Sequence, residues 1–370
     1  MPFDRRTSLM ILAALPGIGP VNLRKLDRVL EGGVAQLLTM DAVELASWCP
    51  PRVVEELSHW QRFFPPDKVF NELKRLPADF VTYEEADYPE RLRPFSDRPI
   101  GLYRSRAGLK LSLRNIAIVG TRKPSAYGRK LARIFASELC RQGFCIVSGL
   151  AEGIDTEAHR AALECGGTTV AILGSGLNRV YPASNRGLME SIQESGGVWT
   201  EFPLWRRADR RSFPQRNRIV AGVSEAVVVI ESGPQGGSLI TARMASEQGR
   251  PVYVLPGRVD SPESAGCHAL IRDGALLVTR VEEILEDLEY LPGALRPEEN
   301  RGTVLPPEKG HRLEGLQAGI WEFLGDNGPS NLDDVASGTG AAIPVLSGTV
   351  LEMEVAGLLC RRLDGRYERA

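Results

Sequence analysis

The amino-acid sequence predicts an α/β protein built around a doubly wound parallel sheet. Six short apolar runs, most of them ending at a glycine, cover residues 116–120, 145–149, 169–174, 197–201, 226–231 and 251–257. Runs without polar alternation are typical of strands that are buried on both faces. The segments between them have helical spacing. Strands that alternate with helices form parallel sheets, and ligands bind beyond the carboxyl ends of such strands.

Length and composition favour a cytoplasmic protein of two or three domains. The chain has 370 residues, of which 43% are hydrophobic and 25% are charged. No apolar run approaches the roughly 20 residues that cross a bilayer, so we expect no membrane contact. The first residues also lack the apolar core of a secretory signal. Six scattered cysteines and four isolated histidines indicate a reducing compartment and argue against a structural zinc site.

Charge is segregated along the chain, although the net charge is only −2. Residues 98–137 contain ten Lys or Arg and no Asp or Glu, and residues 206–218 add six arginines against one aspartate. By itself the first segment would also suit a solvated surface. Two basic segments beside one sheet favour a polyanion as the partner, whereas the acidic residues 281–370 do not.

Residues 1–65 are predicted to form a small helical domain. Residues 15–26 combine two apolar helical stretches with a Gly-Ile-Gly turn, which is the pattern of a helix–hairpin–helix. Such a hairpin can hold a DNA phosphate at a helix N-terminus. Because only Arg24, Lys25 and Arg28 supply positive charge nearby, a role in helix packing or dimerisation is the favoured alternative.

The sheet does not carry a dinucleotide-binding fingerprint. Residues 174–179 lack its third glycine and lead into Val-Tyr-Pro instead of a helix. Arg122 follows the first strand, where a dinucleotide site has a tight glycine turn. No nucleoside triphosphate motif is present either, and the sequence therefore predicts no cofactor.

The turns after the strands instead carry cations, hydroxyls and glycines. The guanidinium of Arg122 can reach a phosphate above the sheet. Ser148 and Gly149 follow the second strand. Residues 233–241 form a glycine loop that runs into a helix, and its free N–H groups and helix dipole form an anion site.

These motifs resemble the DNA-processing protein A family (DprA/Smf). Six blocks follow the family's order, at residues 116–122, 148–159, 181–185, 213–222, 237–241 and 254–257. The resemblance implies an extended Rossmann-like domain, placed here at residues 66–290, with a SAM-like or helix–hairpin–helix-like domain before it. It also implies a homodimer that binds and protects incoming single-stranded DNA and helps to load the RecA recombinase during natural transformation.

Carried onto this sequence, the resemblance implies a phosphate pocket built from the loops after the strands. Its expected members are Gly120, Thr121, Arg122, Ser148, Gly149, Asn185, Arg186, Arg210, Arg216, Asn217, Arg218, Gly236, Gly237, Ser238 and Thr241. Arg186 and Arg210 stand near positions where some family members carry lysines. Tyr181 and Phe213 either pack under the loops or stack on bases, the latter worth roughly 1–3 kcal/mol per base.

The last part of the chain is predicted to be a linker at residues 291–310 and a winged helix at residues 311–370. Three helical stretches precede a hairpin with an Asp-Gly turn. The third stretch, residues 343–356, contains Glu352 and Glu354 and no Lys or Arg. Entry into a DNA groove needs cations, so we expect this module to contact protein and not to read duplex DNA.

Two functions compete: a binding protein without covalent chemistry, and a nucleotide-cleaving enzyme similar to the phosphoribohydrolases (lysine-decarboxylase-like proteins). Such an enzyme needs a carboxylate beside its phosphate loop. The candidates Asp155, Glu231 and Glu247 each have an ordinary role available, as helix cap, strand end or helix surface. Cys267 and His268 are adjacent in sequence and rarely point at one another. The extended basic charge favours the binding protein, and we predict no enzymatic activity.

Overall fold

The computed structural model describes residues 3–105, 114–290, 315–355, 358–361 and 366–369. The chain divides into two compact units, Met1–Arg296 and Pro297–Ala370. The predicted linker lies outside the described residues, and the boundary between residues 65 and 66 stays a prediction. None of the helices within the described residues combines the length and apolar character that crossing a membrane requires.

The chain begins with five short helices. They are α1 Arg5–Ala13, α2 Pro20–Val29, α3 Ala42–Ala46, α4 Pro51–Ser58 and α5 Pro66–Arg75. Three of them start at a proline. The first-turn N–H groups of a helix have no acceptor within it, so the absence of an N–H in proline costs no hydrogen bond there. The α3 helix starts at a capping box made by Asp41 and Glu44. Leu9, Leu12 and Leu23 are buried in the core between these helices.

A nine-stranded mixed sheet follows. Its strands are β1 Ala78–Thr82, β2 Gly101–Ser105, β3 Asn115–Gly120, β4 Cys145–Ser148, β5 Thr169–Ile172, β6 Gly197–Thr200, β7 Ala226–Ile230, β8 Val252–Val254 and β9 Leu276–Leu277. The order in the sheet is β1-β2-β6-β5-β4-β3-β7-β8-β9. The six predicted strands are β3 to β8, and all of them pair in parallel. The antiparallel strands β1 and β2 extend the sheet beyond the six predicted strands.

Helices cover both faces of this sheet. They are α6 Ala126–Arg141, α7 Ile154–Glu164, α8 Arg186–Ser195, α9 Ser212–Val223, α10 Gly237–Glu247, α11 Ala265–Arg272 and α12 Val281–Tyr290. Strand β7 shows how the faces alternate: Val227 and Val229 pack with α9 and α10, and Val228 packs with α6 and α7. The strand order reverses at β3, between β4 and β7, which places the ligand crevice of such a sheet at this point.

The second unit contains α13 Leu316–Asn327, α14 Leu332–Thr339, α15 Ile343–Val355 and the antiparallel strands β10 Leu359–Arg361 and β11 Tyr367–Arg369. Helix α14 is capped by Asn331, whose side-chain oxygen accepts a hydrogen bond from the backbone N–H of Asp334. Ile320, Val335 and Leu346 are buried in its core. The predicted Asp-Gly turn at residues 364 and 365 lies outside the described residues.

Candidate nucleic-acid interface

A cavity of about 280 Å³, here called the central cavity, lies at the carboxyl ends of β3, β4 and β7. Ten of the predicted site residues line it: Gly120, Thr121, Arg122, Gly149, Arg216, Asn217, Gly236, Gly237, Ser238 and Thr241. Parallel strands bring their carboxyl ends to one edge of a sheet, so loops that are distant in sequence meet here. The wall also contains Asp155 and Phe213, together with apolar residues that were not among the predicted site residues.

The amino terminus of α10 forms one wall of the central cavity. Gly236 is its N-cap residue and makes no side-chain capping bond. A side chain at Gly237 would meet no atom within 4 Å, so this backbone is open to the cavity. The uncapped first turn presents N–H groups and the positive end of the helix dipole, an arrangement that binds phosphate or other anions.

Arg216 provides a fixed positive charge in the wall of the central cavity. It is only 5% exposed. Its Nη1 donates to the carbonyl oxygens of Gly149 and Ile172, and its Nε donates to Asn217 Oδ1 at 3.1 Å. Burial lowers the pKa of Arg216 to about 10, so the guanidinium stays protonated at neutral pH. Gly149 is required beside it, because a Cβ there would collide with the guanidinium.

Asp155 does not cap its helix, contrary to the prediction. The N-cap of α7 is Gly153, and Asp155 lies within the first turn. Its Oδ2 instead accepts hydrogen bonds from the backbone N–H groups of Gly149, at 3.0 Å, and Ala151, at 3.3 Å. Burial raises the pKa of Asp155, and the charge of Arg216 opposes that shift. Asp155 therefore shapes the loop after β4 and balances the arginine beside it.

Ser148 and Asn185 lie apart from the central cavity and support its loops from below. The Ser148 hydroxyl is fully buried and donates to the carbonyl oxygen of Ile118 at 2.6 Å. Asn185 Nδ2 donates to the Leu150 carbonyl oxygen at 3.0 Å. Asn185 also borders a neighbouring groove that shares Arg122 with the central cavity. Both side chains use their polar atoms within the protein.

Three predicted arginines lie elsewhere. Arg218 points away from the central cavity, because a residue two positions after Arg216 on a helix is rotated by about 200° from it. Its side chain is largely buried and pairs with Glu201. Arg186 lines a separate cleft beside α5. Arg210 is exposed in the loop before α9 and does not line the central cavity.

The two basic segments are partly neutralised by ion pairs. Arg104 pairs with Asp79 and Asp87, and Arg133 pairs with Glu157 and Glu164. Within the described ranges, the arginines and lysines of these segments that pair with no carboxylate are Arg98, Arg122, Lys123, Arg129, Lys130, Arg207, Arg210, Arg211 and Arg216. Positive charge thus concentrates on the loop after β3, on the start of α6 and on the loop before α9.

Aromatic rings extend the site away from the central cavity. The Arg122 guanidinium carbon lies 5.0 Å from the centroid of the Phe213 ring. The Tyr181 and Phe213 centroids are 5.6 Å apart, with their planes inclined by 48°. Tyr181 is 51% exposed, so its ring is accessible. The row of Arg122, Phe213 and Tyr181 offers a cation and π-faces side by side, which suits an unstacked base and its phosphate.

His159 on α7 is fully buried and makes the stability of the fold sensitive to acid. The Thr169 hydroxyl donates to Ile146, so His159 Nδ1–H donates to Thr169 Oγ1 at 2.6 Å. Burial lowers the pKa of His159 from 6.5 to about 3. As the pH falls below about 6.5, His159 becomes protonated in the unfolded chain but stays neutral in the folded protein. The contribution of His159 to stability is complete above about pH 6.5 and declines as the pH falls towards 3.

Replacing His159 by glutamine is expected to remove this part of the acid sensitivity. The difference in free energy of unfolding between the two proteins should shrink as the pH is lowered from about 7 to about 4, because only the histidine titrates. Urea unfolding at several pH values measures that difference. Unfolding free energies that stay a constant amount apart across this range would contradict the assignment.

Comparisons with known proteins find similarity over most of the chain. Residues 79–289 match the family of DNA recombination-mediator protein A. Protein Smf of Escherichia coli is 39% identical over 297 residues, which are 80% of this chain and 76% of the relative. Protein Smf of Synechocystis is 32% identical over 384 residues, covering 95% of this chain and 96% of the relative.

Two solved structures are also similar. DNA processing protein A (DprA) from Streptococcus pneumoniae matches with a TM-score of 0.64 and 32% identity, over 78% of this chain and 99% of that protein. DNA processing protein A from Helicobacter pylori, whose structure concerns its single-stranded DNA binding mode, matches with a TM-score of 0.51 and 30% identity. That alignment covers 57% of this chain and 96% of the relative.

Proposed function

This chain belongs to the DNA recombination-mediator protein A family, and we propose that it binds single-stranded DNA along the carboxyl edge of its sheet during natural transformation and recombination. The observation that carries the proposal is the convergence of Arg122, the buried Arg216 and the uncapped start of α10 on one cavity. The Helicobacter pylori relative, which is described as binding single-stranded DNA, supports it.

Single strands suit this site better than a duplex. The anion-binding groups of the central cavity and the rings of Tyr181 and Phe213 lie next to each other. A base can stack on such rings only when its face is free, which is true of a single strand and not of the interior of a duplex. The contacts are to phosphates and to base faces, so we expect little preference for sequence.

Binding without catalysis is also part of the proposal. Asp155 is engaged by two backbone N–H groups, and Glu231 accepts a bond from the backbone N–H of Ser125 at 2.8 Å. Glu247 is exposed on α10 and does not line the central cavity. Cys267 is fully buried, which raises the pKa of its thiol to about 11 and opposes a nucleophilic role. Each candidate catalytic group thus has a structural role or an unsuitable setting.

We further propose that the protein works with partners as its family does. It would act as a homodimer that protects incoming DNA and helps to load RecA. The second unit, with three helices and a two-stranded hairpin, would be a winged helix. Exposed Ile343, Val345 and Leu351 on α15, a helix without Lys or Arg, favour protein over a DNA groove as its partner. The small helices at the start would contribute a helix–hairpin–helix.

Fluorescence anisotropy with labelled thymidine oligomers at two salt concentrations, beside a nucleotide-hydrolysis assay, tests the proposal. We expect binding that weakens steeply with salt, because phosphate contacts release counterions, and no turnover. Hydrolysis of nucleoside monophosphates without binding of longer oligomers would favour the phosphoribohydrolase-like alternative instead.

A further inference from the structure

We propose that a second cleft, here called the Trp205 cleft, carries the single strand beyond the central cavity and against helix α5. This inference rests on the function proposed above. The cleft has a volume of about 630 Å³, within the range of about 300–1,000 Å³ that is usual for ligand pockets. It is lined by the end of α5, by the loop after β5, by α8 and by Trp205 from the loop after β6.

The Trp205 cleft continues the aromatic row of the central site. The loop at residues 174–182 lines both: Ser175 and Tyr181 face the hollow beside Phe213, and Arg179 faces the Trp205 cleft. The loop after β6 does the same, with Ala208 on one side and Trp205 on the other. A strand that passes over Tyr181 therefore meets the Trp205 cleft next.

Backbone hydrogen bonds hold these two loops together. Gly176 N donates to the Arg206 carbonyl oxygen at 2.9 Å, and Asn178 N donates to that of Leu204 at 3.0 Å. The Asn178 side chain also donates to Glu72 Oε1 on α5 at 2.8 Å. The cleft is thus braced on three sides before any ligand arrives, which lowers the ordering cost of binding.

The chemistry of the Trp205 cleft matches a nucleotide chain. The Lys68 ammonium lies 4.6 Å from the centroid of the Trp205 ring system. Arg179 and Arg186 are exposed on the cleft wall and pair with no carboxylate in the described part of the chain. An aromatic face beside free cations is the combination that single-strand-binding proteins use, with stacking for the base and charge for the phosphate.

The acidic groups of the Trp205 cleft weaken this positive field only partly. Glu72 is already engaged, since its carboxylate binds both Asn178 and Arg75. Glu190 also lines the cleft. Arg186 was predicted for the central pocket but lines the Trp205 cleft. On the proposed path, the next stretch of the same DNA strand would pass this arginine.

The test measures how the removal of cleft side chains changes the affinity for oligomers of different lengths. Variants are the double change Arg179→Ala and Arg186→Ala, then Trp205→Ala, with Trp205→Phe to restore an aromatic face. Arg141→Ala, which removes one exposed charge at the far end of α6, is the control for the loss of a positive charge outside the cleft. Anisotropy is measured with thymidine oligomers of roughly 4 to 16 nucleotides, the range of single-strand site sizes.

We expect the shortest oligomers to bind all variants equally well, because they fill only the central cavity. For the longer oligomers, Trp205→Ala should weaken binding by at least about fivefold, the lower limit for losing one aromatic–base stack, and Trp205→Phe should not. The double arginine variant should lower the slope of log K against log salt by about 1.4, or about 0.7 for each lost phosphate contact.

Two results would overturn the Trp205 cleft. One is unchanged affinity of both the arginine and the Trp205→Ala variants for long oligomers, and the other is an equal loss for short and long ones. If Trp205→Ala does not fold, the exposed arginine pair decides. Failure of the proposed function looks different: the unchanged protein would then bind no oligomer of any length, whatever the variants do.

Discussion

Replacing Arg122 by alanine is expected to weaken the binding of thymidine oligomers by about an order of magnitude, because a charge-assisted hydrogen bond is worth about 1.5–3 kcal/mol. Arg122 is exposed, lines the central cavity and lies over the Phe213 ring. It pairs with no carboxylate among the residues that the structure describes, so the fold should not depend on it. The variant loses a phosphate contact and the cation beside the ring.

Anisotropy titrations at several salt concentrations measure this effect. The slope of log K against log salt should fall by about 0.7, the value for one phosphate contact to a single strand. Ser148→Ala is the matched loop control. Its hydroxyl is buried against Ile118, so affinity should be retained while stability falls by about 1 kcal/mol. Unchanged binding by a folded Arg122→Ala protein would remove Arg122 from the site.

Replacing Asp155 by alanine is expected to lower the free energy of unfolding by about 3 kcal/mol. The carboxylate accepts hydrogen bonds from Gly149 and Ala151, and both N–H groups would lose this acceptor. Arg216 would also lose the charge that balances it within the same wall. Because Gly149 lines the central cavity, oligomer binding should weaken together with stability.

Urea denaturation of the purified variants measures the change in unfolding free energy. Asp155→Asn is the control that separates charge from hydrogen bonding. It keeps one acceptor for the loop and removes the negative charge, so its loss should lie between those of alanine and the unchanged protein. An alanine variant as stable as the unchanged protein would show that the loop after β4 does not depend on this side chain.

The parallel part of the sheet was predictable from sequence, and its antiparallel edge was not. Strands β3 to β8 are apolar on both faces, which gives continuous Val and Ile runs such as 226–230. Strand β1 is five residues long and contains Asp79 and Thr82. Its partner β2 lies more than twenty positions later and joins the sheet beside β6, a pairing that no local pattern records.

The candidate site, like the sheet, was predictable from sequence only in part. Residues at or just after the end of a strand, such as Gly120 and Arg122, meet in the central cavity because parallel strands bring their ends to one edge. Errors arose where nearness in sequence was taken for nearness in space. Arg218 turns away from Arg216 around α9, and Ser148 is still inside β4. The contact of Arg122 with Phe213 joins the loop after β3 to the first turn of α9, 91 positions later, and only the folded chain reveals it.

The bonds of Arg216 to two backbone carbonyl oxygens have a consequence for the energetics of association. A guanidinium that is held by two backbone carbonyl oxygens needs no reorientation when a phosphate approaches. This positive charge is therefore in position before the nucleic acid binds. Nearly all of the conformational entropy that is lost on binding is then lost by the polynucleotide. Stiffening the nucleic acid, and not the protein, should therefore be the more effective way to raise affinity.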